Sequence, residues 1–216
     1  MNTSASVQSS LSIFDFFKFD LTTPQPTQDA DLLKNLSFVP GLKEIIMLRQ
    51  VHALEHATVW VLSESKSPHN PTLLTKVQVD NELLGGLSTE QGFYLYGEVN
   101  ISDLRRAVTL GLHRLTSGEW DLAVHPRCGT NLSVAMLLTA GLAMGVYFLL
   151  PFRPIEQLIG LGVAATTAAE ISPDLGSMAQ RYLTTAIPFN LTIENITRTH
   201  DVWGREAHFV KVNWKE

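Results

Sequence analysis

The sequence is poor in cysteine and in charged residues. Cys128 is the one cysteine among 216 residues, so the chain cannot form an internal disulfide, which is typical of a reducing compartment. Charged residues make up only 17% of the chain, and the mean hydropathy is +0.09. Because the apolar residues are concentrated in a few segments, these values indicate membrane segments.

Basic residues are scarce as well. The chain has 16 lysines and arginines against 21 acidic residues, for a net charge of -5, and it has no basic block. We therefore expect no nucleic-acid partner, since such partners attract basic patches. We also expect no secretory signal, because the first basic residue is Lys18 and Asp15 interrupts the short apolar run 13–17.

Composition and periodicity divide the chain into four parts and predict an α+β fold with a membrane segment. Residues 1–39, rich in Ser, Thr, Gln and Pro, form an irregular N-terminal tail. Residues 40–131 form a small mixed helix and strand portion that carries two chemical motifs. Residues 132–171 form a two-helix transmembrane hairpin, and residues 172–216 form a helix and a β-hairpin that pack on the α+β portion.

Local signals predict the elements within these parts. A helix begins at Pro40-Gly41 and ends near Ser65, and a second helix runs from a cap at Asn100 to Ser117. Strands are predicted between Leu73 and Val99, around a turn at Gly85-Gly86. The remaining elements are a strand at Trp120 to Val124, a helix after Ser172-Pro173-Asp174 that ends near Thr185, and a C-terminal hairpin that turns near Gly204.

The membrane assignment rests on the run from Leu132 to Leu150, which is 19 residues without a charge. At 1.5 Å per residue this run is about 28 Å long, close to the hydrocarbon thickness of a bilayer. Its Gly141-x-x-x-Gly145 pattern predicts close helix packing. The second segment, Ile155 to Ile171, has 13 uncharged residues between its two glutamates, so a buried hairpin of a soluble protein is the alternative.

The basic residues favour one orientation in the membrane. Two crossings leave the two polar portions on the same side, with Arg114, Arg127, Arg181 and Arg198 there and Arg153 alone in the connecting turn. The excess predicts cytoplasmic polar portions in a protein of the inner (cytoplasmic) or a thylakoid-type membrane. The expected partner is the lipid bilayer, with other membrane proteins as further candidates.

The first chemical motif is His52-Ala-Leu-Glu55-His56 in the middle of the first long helix. Residues three and four apart lie on one helix face, so the two imidazoles and the carboxylate converge. This arrangement can bind a divalent metal beside a carboxylate, and H-x-x-E-H is the signature of the inverted zinc peptidases.

The second motif is His125-Pro126-Arg127-Cys128, directly before the apolar run. A tight turn at the proline and the following glycine predicts that His125 and Cys128 face the same volume. The other histidines are expected to be surface or cross-strand residues rather than ligands: His69, His113, His200 and His208.

Together the motifs predict a divalent metal site, most simply for zinc, with His52, His56, His125 and Cys128 as the metal ligands. If three of them bind the metal, a water position stays open and Glu55 can act as the catalytic base. If all four bind it, the site is structural and contributes about 10 kcal/mol to folding. Two alternatives need no metal: a buried hydrogen-bonded cluster around Glu55, and a Cys128 nucleophile activated by a histidine.

The two motifs also resemble those of an uncharacterised bacterial membrane family of unknown function, found mainly in oxygenic photosynthetic bacteria. Its hallmarks correspond here to residues 49–58 and 123–131, within a match of roughly residues 40–200. The sequence is also similar to a wider family labelled predicted metal-dependent enzymes, which has a later Gln-x-x-Thr-Thr segment. Residues 180–185 are similar to that segment, with one more residue between Gln and Thr. The resemblance implies metal at both motifs and no known substrate.

The sequence therefore leads to two hypotheses of different classes. One is a metal-dependent hydrolase that acts near the membrane surface. The other is a non-catalytic membrane assembly or scaffold protein whose His/Cys cluster is structural. The zinc peptidases of the inverted type are matched only over five residues, and no counterpart of their downstream glutamate is evident.

Overall fold

A computed structural model describes residues 24–66, 80–151 and 153–215 of the chain. The α+β class predicted from the sequence is confirmed. The helices are α1 (Gln28–Asn35), α2 (Leu42–Lys66), α3 (Ile101–Thr116), α4 (Gly129–Leu149) and α5 (Pro154–Ala179). The strands are β1 (Gly85–Thr89), β2 (Gly92–Tyr96), β3 (Leu191–His200) and β4 (Glu206–Trp214). A 3-10 turn spans Trp120–Ala123, and a π turn spans Gln180–Thr184.

Helix α2 is the centre of the fold. Between Gln50 and Ser63 almost every side chain is buried, so the helix is enclosed on all its faces. It packs against α3, against β1 and β2 of the sheet, and against the 3-10 turn. A polar face in such a helix is shielded from water, and its histidines and glutamate therefore lie inside the protein.

The four strands form one antiparallel sheet in the order β1-β2-β4-β3. The C-terminal hairpin expected from alternating residues is present, and its second strand pairs with β2. The main apolar core lies between this sheet and helices α2 and α3, with Leu54, Phe93, Leu104 and Val210 at its centre. Strand β1 is at the edge of the sheet and contacts α2.

The signals that delimit α3 act as the sequence predicts. The Asn100 side chain accepts a hydrogen bond from the Ser102 amide at 3.0 Å and caps the helix. Gly118 has φ of +109°, a conformation that side chains disfavour, and the chain leaves the helix there.

Several predicted elements are wrong. Residues 120–123 of the predicted strand form a 3-10 turn, because the Trp120 and Leu122 side chains pack into a small core with α2 and have no strand to pair with among the described residues. Gly85 and Gly86 begin β1 rather than forming a turn. The predicted irregular tail contains α1. The predicted strand around Val77 and Val79 lies outside the described residues, as does His69.

Helices α4 and α5 pack against each other as an antiparallel pair. Gly160 of α5 faces Val146 and Leu150 of α4, and Gly176 faces Asn131 at the opposite end. In contrast, a Cβ on Gly141 or Gly145 would meet nothing within 4 Å among the described residues. The predicted small-residue contact therefore belongs to α5, whose buried residues recur every fourth position: Ala164, Ala168, Ser172 and Gly176.

Helix α5 continues through Pro173, where the sequence predicts a break and a new helix. Proline removes one helical hydrogen bond and crowds the preceding turn. The small buried residues on both sides of it keep one face of α5 against α4, and this packing outweighs the local cost. The prediction of a separate helix after Ser172 is therefore wrong.

One helix among the described residues, α4, is long and apolar enough to cross a membrane. Its mean hydropathy over the most apolar window is 2.0, and no residue in it is buried against the rest of the protein. Helix α5 does not meet the same measure, so the structure does not establish a transmembrane hairpin.

Candidate metal centre

The structure brings three of the predicted ligand side chains together. His52 and His56 lie one turn apart on α2, and Cys128 is the N-cap of α4. Their ligand atoms all lie within 4.8 Å of one another, with Cys128 Sγ 3.2 Å from His52 Nε2. A cluster of two imidazoles and a thiol at this spacing could hold a metal ion.

Both histidines present the same ring nitrogen to the cluster. Nδ1 of His52 lies 3.0 Å from the Thr184 carbonyl oxygen, and Nδ1 of His56 lies 2.7 Å from the Ala123 carbonyl oxygen. Because a carbonyl oxygen only accepts, each Nδ1 carries the proton and donates it. The lone pair of each imidazole is then on Nε2, near Cys128, which is how proteins usually orient a metal-binding histidine.

Cys128 is buried, and its surroundings favour the thiolate. Burial opposes ionisation, but the His56 imidazole beside the thiol and the hydrogen bonds from Thr130 lower the pKa of the Cys128 thiol below its usual value. The Thr130 amide donates to Sγ at 3.4 Å as part of the helix cap. A thiolate is the form of cysteine that binds metals.

His125 lies beside this cluster, but its ring nitrogens have other neighbours. Its Nδ1 accepts a hydrogen bond from the Arg127 amide at 3.3 Å. Its Nε2 lies 3.4 Å from an Asp80 carboxylate oxygen without the geometry of a hydrogen bond. Burial, together with the nearby His56, lowers the pKa of His125 to about 4. Its role as a fourth ligand stays a prediction.

Glu55 lies on the same face of α2 and borders the same cavity, outside the group of three ligand atoms. Burial raises the pKa of its carboxyl group to about 7, although the nearby His52 and a hydrogen bond from Ser88 act to lower it. The Ser88 hydroxyl donates to Oε2 at 3.2 Å. Gly86 of β1 lies directly over the carboxylate, so that a Cβ there would overlap it.

The π turn at Gln180–Thr184, which follows α5, forms hydrogen bonds to residues of both motifs. The sequence alone does not predict this role. The Gln180 side chain accepts from the His125 amide at 2.8 Å and donates to the His125 carbonyl and to Asn131. Thr184 supplies the carbonyl that orients His52, and its hydroxyl lies 3.1 Å from that of Thr130. The signal was present in the sequence as the resemblance of residues 180–185 to a third family segment.

Arg127, between the histidine and the cysteine of the second motif, connects this turn to residues 80–84, which precede β1. Its guanidinium makes two hydrogen bonds to the Asp80 carboxylate, which lower the pKa of that acid below its usual range. The same group also donates to three backbone carbonyls, those of Asn81, Glu82 and Leu84. The second motif and the first strand are therefore held as one unit around α2.

A cavity of about 570 Å³ gives access to the cluster, a size typical of small-molecule sites. Its floor is the face of α2 with His52, Glu55 and His56. One wall is residues 84–88 of the chain, and the other is formed by residues 127–130 and 183–184. The cluster, the carboxylate and a space for a ligand thus share one site.

The family to which the chain belongs can now be stated. A family model described as a domain of unknown function, DUF6391, matches residues 47–196. The chain belongs to the DUF6391 family. The match includes both motifs and the π turn behind them, so every part of the site described above lies within the DUF6391 region. The predicted membership of an uncharacterised family is confirmed.

A relative matches nearly the whole chain, but its name gives no activity. The chain is 52% identical over 201 residues to an uncharacterized protein of Picosynechococcus sp., covering 93% of this chain and 96% of the relative. No solved structure matches the chain. The function must therefore be argued from the DUF6391 site itself.

Proposed function

We propose that this protein is an integral membrane, metal-dependent hydrolase that works at the membrane surface. The observation that carries the proposal is the shared orientation of His52 and His56, each donating Nδ1–H to a backbone carbonyl. A buried polar cluster without metal has no need to direct two Nε2 lone pairs at one thiol. This arrangement favours a metal site over the cluster that needs no metal.

Zinc fits the three side chains better than other common divalent metals. Imidazole nitrogen and thiolate sulfur are the ligands of a borderline-soft ion, whereas magnesium and calcium take oxygen ligands. What supports an open site is the environment of His125, whose Nδ1 already accepts from the Arg127 amide. When bound at three protein ligands, zinc supplies Lewis acidity and a water of lowered pKa at the fourth position.

The residues around that position have separate roles in the proposed hydrolysis. We assign to Glu55, which borders the same cavity, the acceptance of the proton of the attacking water and its return to the leaving group, as general acid-base catalysis requires. Ser88 and the backbone at Gly86 hold its carboxylate against α2. Thr184 and Ala123 fix the two histidines. The cavity excludes bulk water from three sides and leaves room for a substrate.

Elemental analysis of the purified, detergent-solubilised full chain tests the metal centre. We expect about one zinc per chain in the wild type, and a background level in both His52→Ala and Cys128→Ala, because each removes one of three ligands. The matched control is His113→Ala, which removes an exposed histidine on α3 and should leave the zinc content unchanged.

Two results would contradict the proposal. Zinc that persists in both variants places the metal somewhere else in the chain. A folded wild type without metal, even after reconstitution with zinc, favours the non-catalytic assembly or scaffold protein, whose His/Cys cluster serves structure alone.

The membrane location is the second part of the proposal. Helix α4 is apolar and has no buried residue, and Cys128 caps its first turn. Helix α5 packs along it and returns the chain to the same end. We propose that the pair crosses the bilayer and returns, with the polar portions in the cytoplasm, so that the metal centre lies at the membrane surface.

Extraction of native membranes tests this location. We expect alkaline carbonate to leave essentially all of the protein in the membrane pellet and detergent to release it, because buried apolar helices resist removal from lipid. A known peripheral protein of the same membrane serves as the control that carbonate does extract. Release of this protein by carbonate alone would rule out the membrane-spanning pair.

A further inference from the structure

The outer end of the cavity carries large apolar side chains that are open to solvent. Ile45 and Leu48 of α2 and Leu183 of the π turn border the cavity. Their exposed fractions are 57%, 40% and 70%. Leaving large apolar side chains in water is unfavourable by about 25 cal/mol for each Å². A cavity for a polar substrate does not need such an entrance.

This apolar entrance adjoins the outer surface of helices α4 and α5. Leu183 follows the last turn of α5 within four residues, and Tyr182 beside it is also exposed. Thr130, in the first turn of α4, borders the same cavity. Phe38 and Val39, directly before α2, add two further exposed apolar side chains. The entrance therefore lies at the ends of the two helices.

Apolar residues border the cavity at its far wall as well as at the entrance. Ile45 is seven residues from His52, and Val59 is seven residues beyond it, so the floor of the cavity is about 21 Å long at 1.5 Å per residue. Leu84 and Leu87 border the cavity on the β1 side. A polar centre between two apolar ends of a cavity matches a molecule with a reactive polar group and a hydrocarbon chain.

We propose that the substrate is a membrane amphiphile that enters this cavity from the bilayer past Ile45, Leu48 and Leu183. One of its acyl chains extends past the cluster to the inner wall at Val59, Leu84 and Leu87. The polar group of the molecule then lies at the His52, His56 and Cys128 cluster, beside Glu55. This inference rests on the proposed function, since it takes α4 and α5 as membrane helices and the cluster as the reactive centre. It adds the chemical class of the substrate: a lipid with a hydrolysable bond near its head group.

Photo-crosslinking in a bilayer tests the inference. The full chain is reconstituted in phosphatidylcholine vesicles that contain a phosphatidylcholine with a diazirine on one acyl chain, irradiated, digested and mapped by mass spectrometry. We expect adducts on the inner wall of the cavity, at Val59, Leu84 or Leu87, in addition to those on Leu137 of α4. Zinc is measured on the same sample, so that the metal centre and the lipid site are judged separately.

Substitutions at the entrance make the test specific. Leu48→Asp and Leu183→Asp should lower the inner-wall adducts by about tenfold, because a carboxylate in the path of a hydrocarbon chain is strongly unfavourable. Adducts on Leu137 should not change. The control is Ile101→Asp, which alters an exposed apolar residue of α3 that does not border the cavity and should leave all adducts in place.

Two outcomes overturn the inference. Adducts confined to α4, α5 and the entrance, with zinc present, mean that lipid surrounds the protein without entering the cavity, and the proposed hydrolase then stands with another substrate. Inner-wall adducts from an apolar peptide with a photoreactive residue, in place of those from the lipid, would identify a polypeptide as the occupant. Loss of zinc from the folded wild type instead contradicts the proposed function.

Discussion

Replacing Glu55 with glutamine is expected to lower the hydrolytic rate by about 10²–10⁴-fold, the usual contribution of a general base. The amide has nearly the shape of the carboxylate and can still accept a hydrogen bond from Ser88, but it cannot take a proton from water. Zinc content and thermal stability should stay near the wild-type values, since Glu55 lies outside the group of three ligand atoms. The rate is measured on whichever fluorogenic ester, amide or phosphoester the wild type hydrolyses in detergent micelles.

The control for this change is on the same helix. Glu44→Gln alters an exposed glutamate in the first turn of α2 and should leave rate, zinc and stability unchanged. If Glu55→Gln loses zinc or unfolds, Glu55 supports the structure and the assignment of a catalytic base fails. If the rate is unchanged in a folded, zinc-containing variant, another group accepts the proton.

Gly86→Ala is expected to displace the Glu55 carboxylate while leaving its chemical identity unchanged. A Cβ on Gly86 would overlap the end of the Glu55 side chain and lie 2.6 Å from its Cγ, so the side chain must leave its place beside Ser88. Such overpacking in a buried site costs about 1–3 kcal/mol, which corresponds to a melting temperature lower by roughly 2–12 °C. We expect the rate to fall as it does in Glu55→Gln, while zinc stays bound.

The adjacent glycine is a matched control. A Cβ on Gly85 would meet nothing within 4 Å among the described residues, and neither glycine has a positive φ. Gly85→Ala adds the same methyl group to the same strand and should leave both the rate and the melting temperature close to wild type. Equal effects from the two substitutions would show that β1 is sensitive to any added side chain, and the positioning role of Gly86 would be lost.

The sequence predicts the face of α2 and the meeting of the two motifs well. Helical spacing alone places His52, Glu55 and His56 together, and the turn before the apolar run brings Cys128 to them. The environment of His125 could not be foreseen, because it depends on Arg127 and Asp80, and Asp80 is 45 residues away along the chain. The orientation of the histidines was equally hidden, since both acceptors are backbone carbonyls that any residue could supply.

The errors in the fold have a common physical origin. Local preference predicts a break at Pro173 and a strand at Trp120, but packing against α4 and α2, respectively, outweighs that preference. The glycines of the chain show the same limit. The sequence predicts a turn at Gly86, whereas what requires a glycine there is the close approach of Glu55 from a different element. In each case the residue type indicates that the position is constrained, but the residues that contact it in the folded protein determine what the constraint is.

The hydrogen bond from His52 to Thr184 joins groups that the ribosome makes at different times. Thr184 follows His52 by 132 residues and Cys128 follows it by 76. At about 5–20 residues per second, roughly 7–26 s pass between synthesis of the first ligand and synthesis of the carbonyl that orients it. The centre can therefore be completed only after both long apolar helices have left the ribosome. Under the proposed function, metal is therefore acquired after the two helices have been inserted, and a filled centre is a sign of a correctly assembled protein.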